Sequence, residues 1–151
     1  MARFQYSMQS ILNIKLKMET LAKQEFSAAK YALDVEEEKL AALYQRKRDY
    51  EEEAHSLRKG ALKVREIEDN KNALLIMDQY IHMQRLEVNK AEKQLEQARL
   101  RLEDVIKDRK MHETLREKAF ESFMQEENKE EGKVVDELTS YTYGQKKQVK
   151  E

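Results

Sequence analysis

The second half of the chain carries apolar residues in a regular alternation of three-residue and four-residue steps. From position 74 to position 123, eleven of the fifteen residues at these steps are apolar, and the phase never slips. A sustained period of 3.5 residues is typical of a coiled-coil helix with a left-handed supercoil. The pattern predicts a helix over about residues 65–135. Its seam positions are Leu74, Met77, Ile81, Gln84, Val88, Ala91, Leu95, Ala98, Leu102, Val105, Arg109, His112, Arg116, Ala119 and Phe123.

The first half of the chain has the same kind of pattern in a less regular form. Two groups of apolar residues each keep one phase, and one seam position moves by a residue between Ala29 and Leu33. We interpret this step as a local change of supercoil within a single helix over about residues 5–59. The first group is Phe4, Met8, Ile11, Met18, Ala22 and Ala29, and the second is Leu33, Leu40, Leu43, Tyr50, Ala54 and Leu57.

Gly60 separates the two patterns and is the only glycine in the first 131 residues. Glycine is common just past a helix C-terminus because it adopts a positive φ at little steric cost. A turn over residues 60–64 is short, so the helices should return antiparallel, with partners whose residue numbers add to about 124. The prediction is an all-α, long two-helix antiparallel coiled-coil hairpin over residues 1–124. Residues 125–151 would form an overhanging helix end and a flexible, partly disordered C-terminal tail.

Composition agrees with a long helical protein and excludes several function classes. Charged residues make up 39% of the chain, which has no proline or cysteine and a formal net charge of −1. No apolar run approaches the roughly 20 residues that span a bilayer, so we expect no direct membrane insertion. The basic cluster Arg46-Lys47-Arg48 is followed by Asp49 and three glutamates. It therefore indicates a surface charge lattice, and we expect no nucleic-acid partner.

Catalytic and metal-binding signatures are also missing. The chain contains no cysteine nucleophile, no G-x-S-x-G motif and no Gly-rich phosphate loop. Glu52 and His55 have the spacing of a di-iron ligand pair, but such sites need a second pair and two further glutamates. We therefore predict a binding protein that is not an enzyme and that has no catalytic residues, metal site or cofactor.

Apolar residues outside the seam indicate two candidate contact sites. Near the turn, Ile76, Tyr80 and Met83 form a second stripe, with Tyr44 and Leu75 close to it. A second set lies towards the chain termini. Excess exposed apolar surface usually indicates a contact site, but a drifting seam that recruits flanking residues gives the same pattern, and both interpretations stay open. The second set is Ile14, Leu16, Leu21, Phe26, Met111, Leu115, Phe120 and Met124.

Several segments share an order and spacing that are not those of a catalytic signature. They are Phe4-x-Tyr6-x-Met8-Gln9-Ser10-Ile11-Leu12-Asn13-x-Lys15, then Glu19 with Ala22-Lys23, the Tyr50 region before Gly60, Ile81-x-x-Gln84, and Glu127 to Leu138. Together these segments resemble the flagellar export protein FliJ family, a coiled-coil component of the type III export apparatus. The resemblance covers nearly the whole chain.

The resemblance implies a stalk similar to the central coiled coil of rotary ATPases. The termini would enter the ring of the hexameric export ATPase, and the turn half would contact a membrane export-gate protein and export chaperones. The chain would be cytoplasmic, peripheral at the inner face of the cell membrane and monomeric in isolation. Positions similar to the family's ring contacts are Phe4, Met8, Ile11, Leu12, Leu115 and Leu138. The export-gate positions are Leu43, Tyr50, Met77, Tyr80 and Gln84, to which the apolar stripe adds Ile76.

Two other interpretations compete with this one. A cytoskeletal or scaffold coiled coil unrelated to export has a similar composition, but such rods dimerise in parallel. An amphipathic helix pair on a membrane surface would need a one-sided Lys/Arg face, which the sequence lacks.

Overall fold

The computed structural model describes residues 3–149, with side chains described for residues 3–145. Within this range the chain forms two helices and no strand: α1 over Gln9–Leu57 and α2 over Val64–Val149. The helices pair as the predicted antiparallel two-helix hairpin. Two compact units are recognised along the pair. The turn unit comprises residues 19–104, and the terminal unit comprises the described parts of residues 1–18 and 105–151.

The turn unit is held together by the predicted heptad seam. Small and medium apolar side chains occupy it, and Met77 is the most buried of them, with 3% of its surface exposed. A pair of helices forms a seam without an enclosed interior, so none of the large side chains described is fully buried. The buried apolar residues of this unit are Ala22, Met77, Ile81, Val88, Ala91 and Ala98.

Two buried or half-buried amides cross the seam of the turn unit at matching positions. The Asn70 amide donates a hydrogen bond to the Tyr50 carbonyl oxygen at 2.9 Å, and the Gln84 amide donates to the Glu36 carbonyl at 3.0 Å. Donors and acceptors are both 14 residues apart, which is two heptads, so the same contact recurs at equivalent heptad positions. Ion pairs of Lys47 with Asp78 and of Arg101 with Glu25 cross the helices at 2.8 Å and 2.6 Å.

These cross-helix partners confirm the predicted register. The residue numbers of Lys47 and Asp78 add to 125, and those of Arg101 and Glu25 add to 126, against the expected value of about 124. A slip of either helix would separate these partners and move the seam residues out of their facing layers. The register of the turn unit therefore follows from the short connection together with the seam pattern.

The connection itself is formed by residues 58–63, and Gly60 has a φ of +98° as the turn position predicts. Lys63 stands where a Ser or Thr cap is expected, and its side chain does not replace the cap. Instead, the Lys63 carbonyl accepts the Ile67 N–H at 3.1 Å, while its ammonium lies 3.8 Å from the Glu66 carboxylate. The start of α2 is thus held by backbone geometry and by an acidic residue in its first turn, which favours the helix dipole.

The terminal unit packs a short non-helical segment and the first turns of α1 against α2. Leu12 is its buried seam residue, and Lys15 forms an ion pair with Asp108 at 2.7 Å. The Nε of Arg116 donates to the Gln9 amide oxygen at 3.0 Å. These two contacts have residue-number sums of 123 and 125, so the terminal unit keeps the same register rule on its own.

The helix boundaries differ from the sequence pattern at both chain ends. α1 begins at Gln9, later than the expected start near residue 5. Phe4 packs on Phe120 and Phe123 of α2, and the segment before α1 forms a turn that ends in the Gln9 N–H to Tyr6 carbonyl bond. α2 runs to Val149, whereas the pattern places its end near residue 135. No proline interrupts it, and Gly132 and Gly144 are accommodated within the helix. Residues 150–151, part of the expected disordered tail, lie outside the described residues.

Candidate binding surfaces

One flank of the turn unit exposes a row of apolar side chains that we call the open flank. It consists of Ile76, Tyr80 and Met83 of α2, which are 45%, 48% and 63% exposed, together with Leu43 of α1. The three α2 residues follow one another at four and three residues, so they lie on one face of the helix. Leu43, Tyr80 and Met83 line a shallow groove between the helices. The open flank is therefore a concave apolar surface that both helices build.

The other flank of the same region is closed by polar contacts. The Arg85 guanidinium lies 5.7 Å from the ring centroid of Tyr44, and the Lys47 ammonium pairs with Asp78. At about 100° per residue, Asp78 and Arg85 lie on the side of α2 opposite to Ile76. Contact with a partner in this region is thus favoured on one flank only.

The residues predicted to contact an export-gate protein fall into two groups. Ile76, Tyr80 and Leu43 lie on the open flank, where Ile76 and Tyr80 are exposed and Leu43 is half-buried and lines the groove. The second group is engaged within the helix pair. Met77 is buried in the seam, and the backbone carbonyl of Tyr50 accepts a hydrogen bond from the side-chain amide of Asn70. Burial assigns Met77 to the helix–helix interface, because a partner could reach its side chain only by separating the helices.

Gln84 belongs to both the seam and the open flank. Its amide donates to the carbonyl and to the carboxylate of Glu36, and the same side chain lines the groove. The hydrogen bond from Gln84 lowers the pKa of the Glu36 carboxyl, and Lys39 adds to this effect. The amide is thus already engaged within the chain, so its main role is to position α1 against α2.

A second apolar surface, the terminal surface, lies on the terminal unit. It consists of Met8, Ile11 and Leu115, all of them exposed. Ile11 precedes Lys15 by four residues, and Leu115 follows Asp108 by seven, so both lie on the flank marked by the Lys15–Asp108 ion pair. Hydrogen bonding from Lys15 lowers the pKa of the Asp108 carboxyl. The terminal surface thus joins residues of both helices around one ion pair.

The remaining residues predicted to contact the ATPase ring lie elsewhere in the terminal unit. Leu12 is 4% exposed, which assigns it to the seam. Phe4 packs edge-on against Phe120, with ring centroids 5.2 Å apart, and lies 5.4 Å from Phe123. Leu138 is exposed on the last part of α2, where every residue described from 128 to 145 is exposed. Of the residues predicted to contact the ring, Leu138 and those of the terminal surface therefore have exposed apolar side chains.

Neither unit gathers the ligands of a metal site within the part of the chain that the structure describes. Among residues 3–149, no group of three His, Cys, Asp or Glu residues is placed to hold a metal ion. Neither helix contains a stretch in this range that is long and apolar enough to cross a membrane. What both surfaces offer is apolar contact area bordered by charge.

Comparison with known proteins decides the family. The family described as flagellar FliJ protein matches residues 4–148, nearly the whole chain. The chain belongs to the flagellar FliJ family. Its fold is similar to that of CT670 from Chlamydia trachomatis, a protein described as a YscO homolog, with a TM-score of 0.74 and 19% sequence identity over 97% of this chain and 99% of that chain. No curated protein sequence matches the chain significantly.

Membership of the FliJ family connects the chain with flagellar type III protein export. At 19% identity, the likeness to CT670 shows the fold alone. The family assignment confirms the resemblance seen in the sequence segments around Phe4–Lys15 and Ile81–Gln84. It does not by itself assign a partner to the open flank or to the terminal surface.

Two exposed residues of this FliJ family member that enlarge its apolar surfaces were not predicted as surface residues from the sequence. Leu86 is exposed and lines the groove of the open flank, and Met18 is exposed in the terminal unit. Leu86 follows Met83 by three residues, a spacing that could have found it. Met18 was counted as a seam residue because it fits the heptad phase of α1. Its exposure shows that the seam of α1 passes through Glu19 at this level, which is buried.

Proposed function

We propose that this FliJ family member is a non-enzymatic stalk and adapter of flagellar protein export. It binds the hexameric export ATPase through the terminal surface and Leu138, and it binds a membrane export-gate protein through the open flank. Export chaperones use the turn unit as well. The chain then works in the cytoplasm, peripherally at the inner face of the cell membrane.

The observation that carries the proposal is the separation of exposed apolar surface between two units. The open flank lies within residues 19–104, and the terminal surface lies within residues 3–18 and 105–149. Between Glu87 and Asp104, the only large apolar side chain exposed on α2 is Leu100. Single exposed apolar residues are common on protein surfaces and need no partner to explain them, whereas grouped ones usually mark a contact site. Two separate groups therefore support two independent contacts.

Contact with the ATPase ring is supported by the build of the terminal surface. Met8, Ile11 and Leu115 combine a flexible thioether with branched aliphatic side chains, which adapt well to a partner surface. α2 continues past residue 128 with exposed apolar residues at spacings of four and three, as at Val134, Leu138 and Tyr141. An unpartnered helix of this kind gains most of its stability from packing against another protein. A ring contact would supply that packing.

Contact with the export gate is supported by the asymmetry of the turn unit. The Arg85–Tyr44 stack and the Lys47–Asp78 ion pair occupy one flank, and apolar side chains occupy the other. A one-sided surface with aromatic and aliphatic anchors resembles the centre of a specific interface. Tyr80 supplies the aromatic anchor.

The test compares two pairs of substitutions in the full chain. Ile76→Ala with Tyr80→Ala should weaken binding to the purified gate protein by about tenfold or more and leave ATPase stimulation unchanged. Ile11→Ala with Leu115→Ala should reduce stimulation of the cognate ATPase and leave gate binding unchanged. Turnover and calorimetry give the two readouts. Native stimulation by the terminal variant, or native gate binding by the flank variant, refutes the corresponding contact.

A further inference from the structure

Between Leu75 and Leu86, α2 carries apolar side chains on its seam, on the open flank and on its outer side, while Asp78 and Arg85 occupy the other flank. Met77 and Ile81 face α1, while Leu75, Tyr80 and Leu86 are exposed on the remaining sides. A helix whose apolar surface is wider than the stripe that one neighbour covers is normally contacted on a second side. In the turn unit, α1 covers one side only. The exposed remainder calls for a second covering element.

The exposed row has the spacing of a coiled-coil seam. Ile76, Tyr80 and Met83 repeat the steps of the buried row one position ahead of Met77, Ile81 and Gln84. The groove that Tyr80 and Met83 line with Leu43 is continuous with the α1–α2 interface, because Gln84 borders both. Heptad-spaced residues beside an existing helix pair form a binding groove for another helix.

The borders of the groove carry opposite charges. On α1, Lys39 and Arg46 lie four residues before and three residues after Leu43, on the same face. On α2, Asp69 and Glu87 end the row that contains Ile76, Tyr80 and Met83, and all four charged residues are exposed. Lys39 is 3.5 Å from Glu36, a weak exposed pair that leaves it available. The α1 border is therefore basic on both sides of Leu43, and the α2 border is acidic at its two ends, where Glu87 lines the groove.

We infer that the open flank binds one amphipathic α-helix of a partner protein, with acidic residues along one side of its apolar stripe and basic residues along the other. The acidic side faces Lys39 and Arg46, and the basic side faces Asp69 and Glu87. The row from Asp69 to Glu87 spans 18 residues, so the bound helix covers about 27 Å, or five turns. This inference specifies the kind of partner for the proposed gate contact and rests on that proposal.

The probe is a synthetic helical peptide of about three heptads with leucine at its seam positions. Three versions differ only in the residues on the two borders of the leucine stripe. The mixed version has glutamate on one border and lysine on the other, and the other two versions have glutamate on both borders or lysine on both borders. A helix can bind in either direction, so the mixed version satisfies both borders of the groove in one of its two orientations. Binding of each labelled peptide to the full chain is measured by fluorescence anisotropy. We expect the mixed peptide to bind about tenfold more tightly than the others, since several border pairs each contribute modestly.

Three variants of the chain test the assignment. Tyr80→Glu places a charge on the open flank and should abolish binding of the mixed peptide, while Tyr31→Glu, at a 72% exposed position of the same unit, should not. Lys39→Glu with Arg46→Glu makes both borders acidic and should transfer the preference to the peptide with lysine on both borders. Circular dichroism confirms that each variant keeps its helicity.

Equal affinity for the three peptides, or no binding of any, overturns the inference. So does loss of binding in Tyr31→Glu equal to that in Tyr80→Glu. Failure of the gate proposal gives a different result. If the peptide preferences hold while Ile76→Ala with Tyr80→Ala binds the gate protein normally, the flank is a helix-binding site whose partner is another protein.

Discussion

The side-chain amide of Gln84 donates a hydrogen bond of 3.0 Å to the backbone carbonyl of Glu36, which lies 48 residues away in the sequence. The same amide also contacts the Glu36 carboxylate. A slip of one heptad would place Gln84 opposite Ala29 or Leu43. Neither residue has a side-chain acceptor, so the contact with the Glu36 carboxylate would be lost. The apolar seam alone tolerates such a slip, since similar residues recur every seven positions. The pair therefore contributes to the choice of register.

The first prediction concerns the two seam amides. Asn70→Leu with Gln84→Leu should change the free energy of unfolding only modestly, because the apolar area added to the seam offsets the lost hydrogen bonds to Tyr50 and Glu36. Specificity should fall, because other helix pairings become available. We expect the native chain to sediment as a monomer and the double variant to form dimers as concentration rises. A variant that stays monomeric at all concentrations would show that the connection alone fixes the pairing.

The second prediction tests the antiparallel pairing within one chain. The sequence has no cysteine, so introduced pairs react without background. Cysteines at Met8 and Arg116 should be joined by a short bismaleimide at high dilution, since the adjacent Gln9 already contacts Arg116. Cysteines at Lys47 and Asp78 serve the same purpose in the turn unit. Products that form only between chains, at rates that rise with protein concentration, would contradict the hairpin.

The third prediction uses Gly60 and a matched glycine. Gly60 has a φ of +98°, so Gly60→Ala should lower the free energy of unfolding by about 1–2 kcal/mol although nothing crowds the added methyl group. Gly132 lies inside α2 with similar free space, and Gly132→Ala should increase helicity there. Urea titration followed by circular dichroism measures both effects. Equal effects of the two substitutions would mean that the positive φ does not govern the turn.

The fold could be predicted from the sequence because a two-helix seam depends on periodicity alone. The burial of Met77, Ile81 and Val88 follows directly from the heptad steps. The turn at Gly60 follows from the break between the two heptad patterns. The non-helical start could not be predicted, because Phe4 also fits the heptad phase of α1. Its stacking on Phe120 depends on a cross-helix contact that no local pattern contains.

The binding surfaces were predicted less well, for a related reason. Periodicity places Tyr80 outside the seam, but it does not tell which flank is covered. The open flank became apparent only because Arg85 stacks on Tyr44 and Lys47 pairs with Asp78 across the helices. The sequence suggests instead that Asp49 and the neighbouring glutamates neutralise Lys47. Likewise, Leu12 and Met77 match contact positions by resemblance, and their burial assigns them to the seam.

The fourth prediction concerns acid. Hydrogen bonds from Lys15 and from Gln84 lower the pKa values of Asp108 and Glu36 below their ordinary values of 3.8 and 4.5. A carboxyl whose pKa is lower in the folded state stabilises the fold above its unfolded pKa, and this stabilisation is lost as pH falls through the folded pKa. Stability should therefore be constant above about pH 5.5 and decline below about pH 4.5.

Asp108→Asn provides the control for that decline. It should be less stable than the native chain at pH 7, and the two should converge as pH falls towards 3. The urea midpoint at each pH gives the comparison. A constant difference between the two proteins across this range would show that the Lys15–Asp108 pair has no part in the pH dependence.

The fifth prediction compares Ile76 with Met77, which are adjacent in sequence and similar in size. Met77 is 3% exposed and Ile76 is 45% exposed, so they separate packing from partner contact at almost the same place in the chain. Met77→Ala should lower the free energy of unfolding by about 2–3 kcal/mol, the lower part of the range for core truncations, because a two-helix seam can partly close around the gap. Ile76→Ala should change it by no more than about 0.5 kcal/mol. Thermal melting of both variants supplies the measurement. If Ile76→Ala is as destabilising as Met77→Ala, the open flank is part of the fold and is not free to bind a partner.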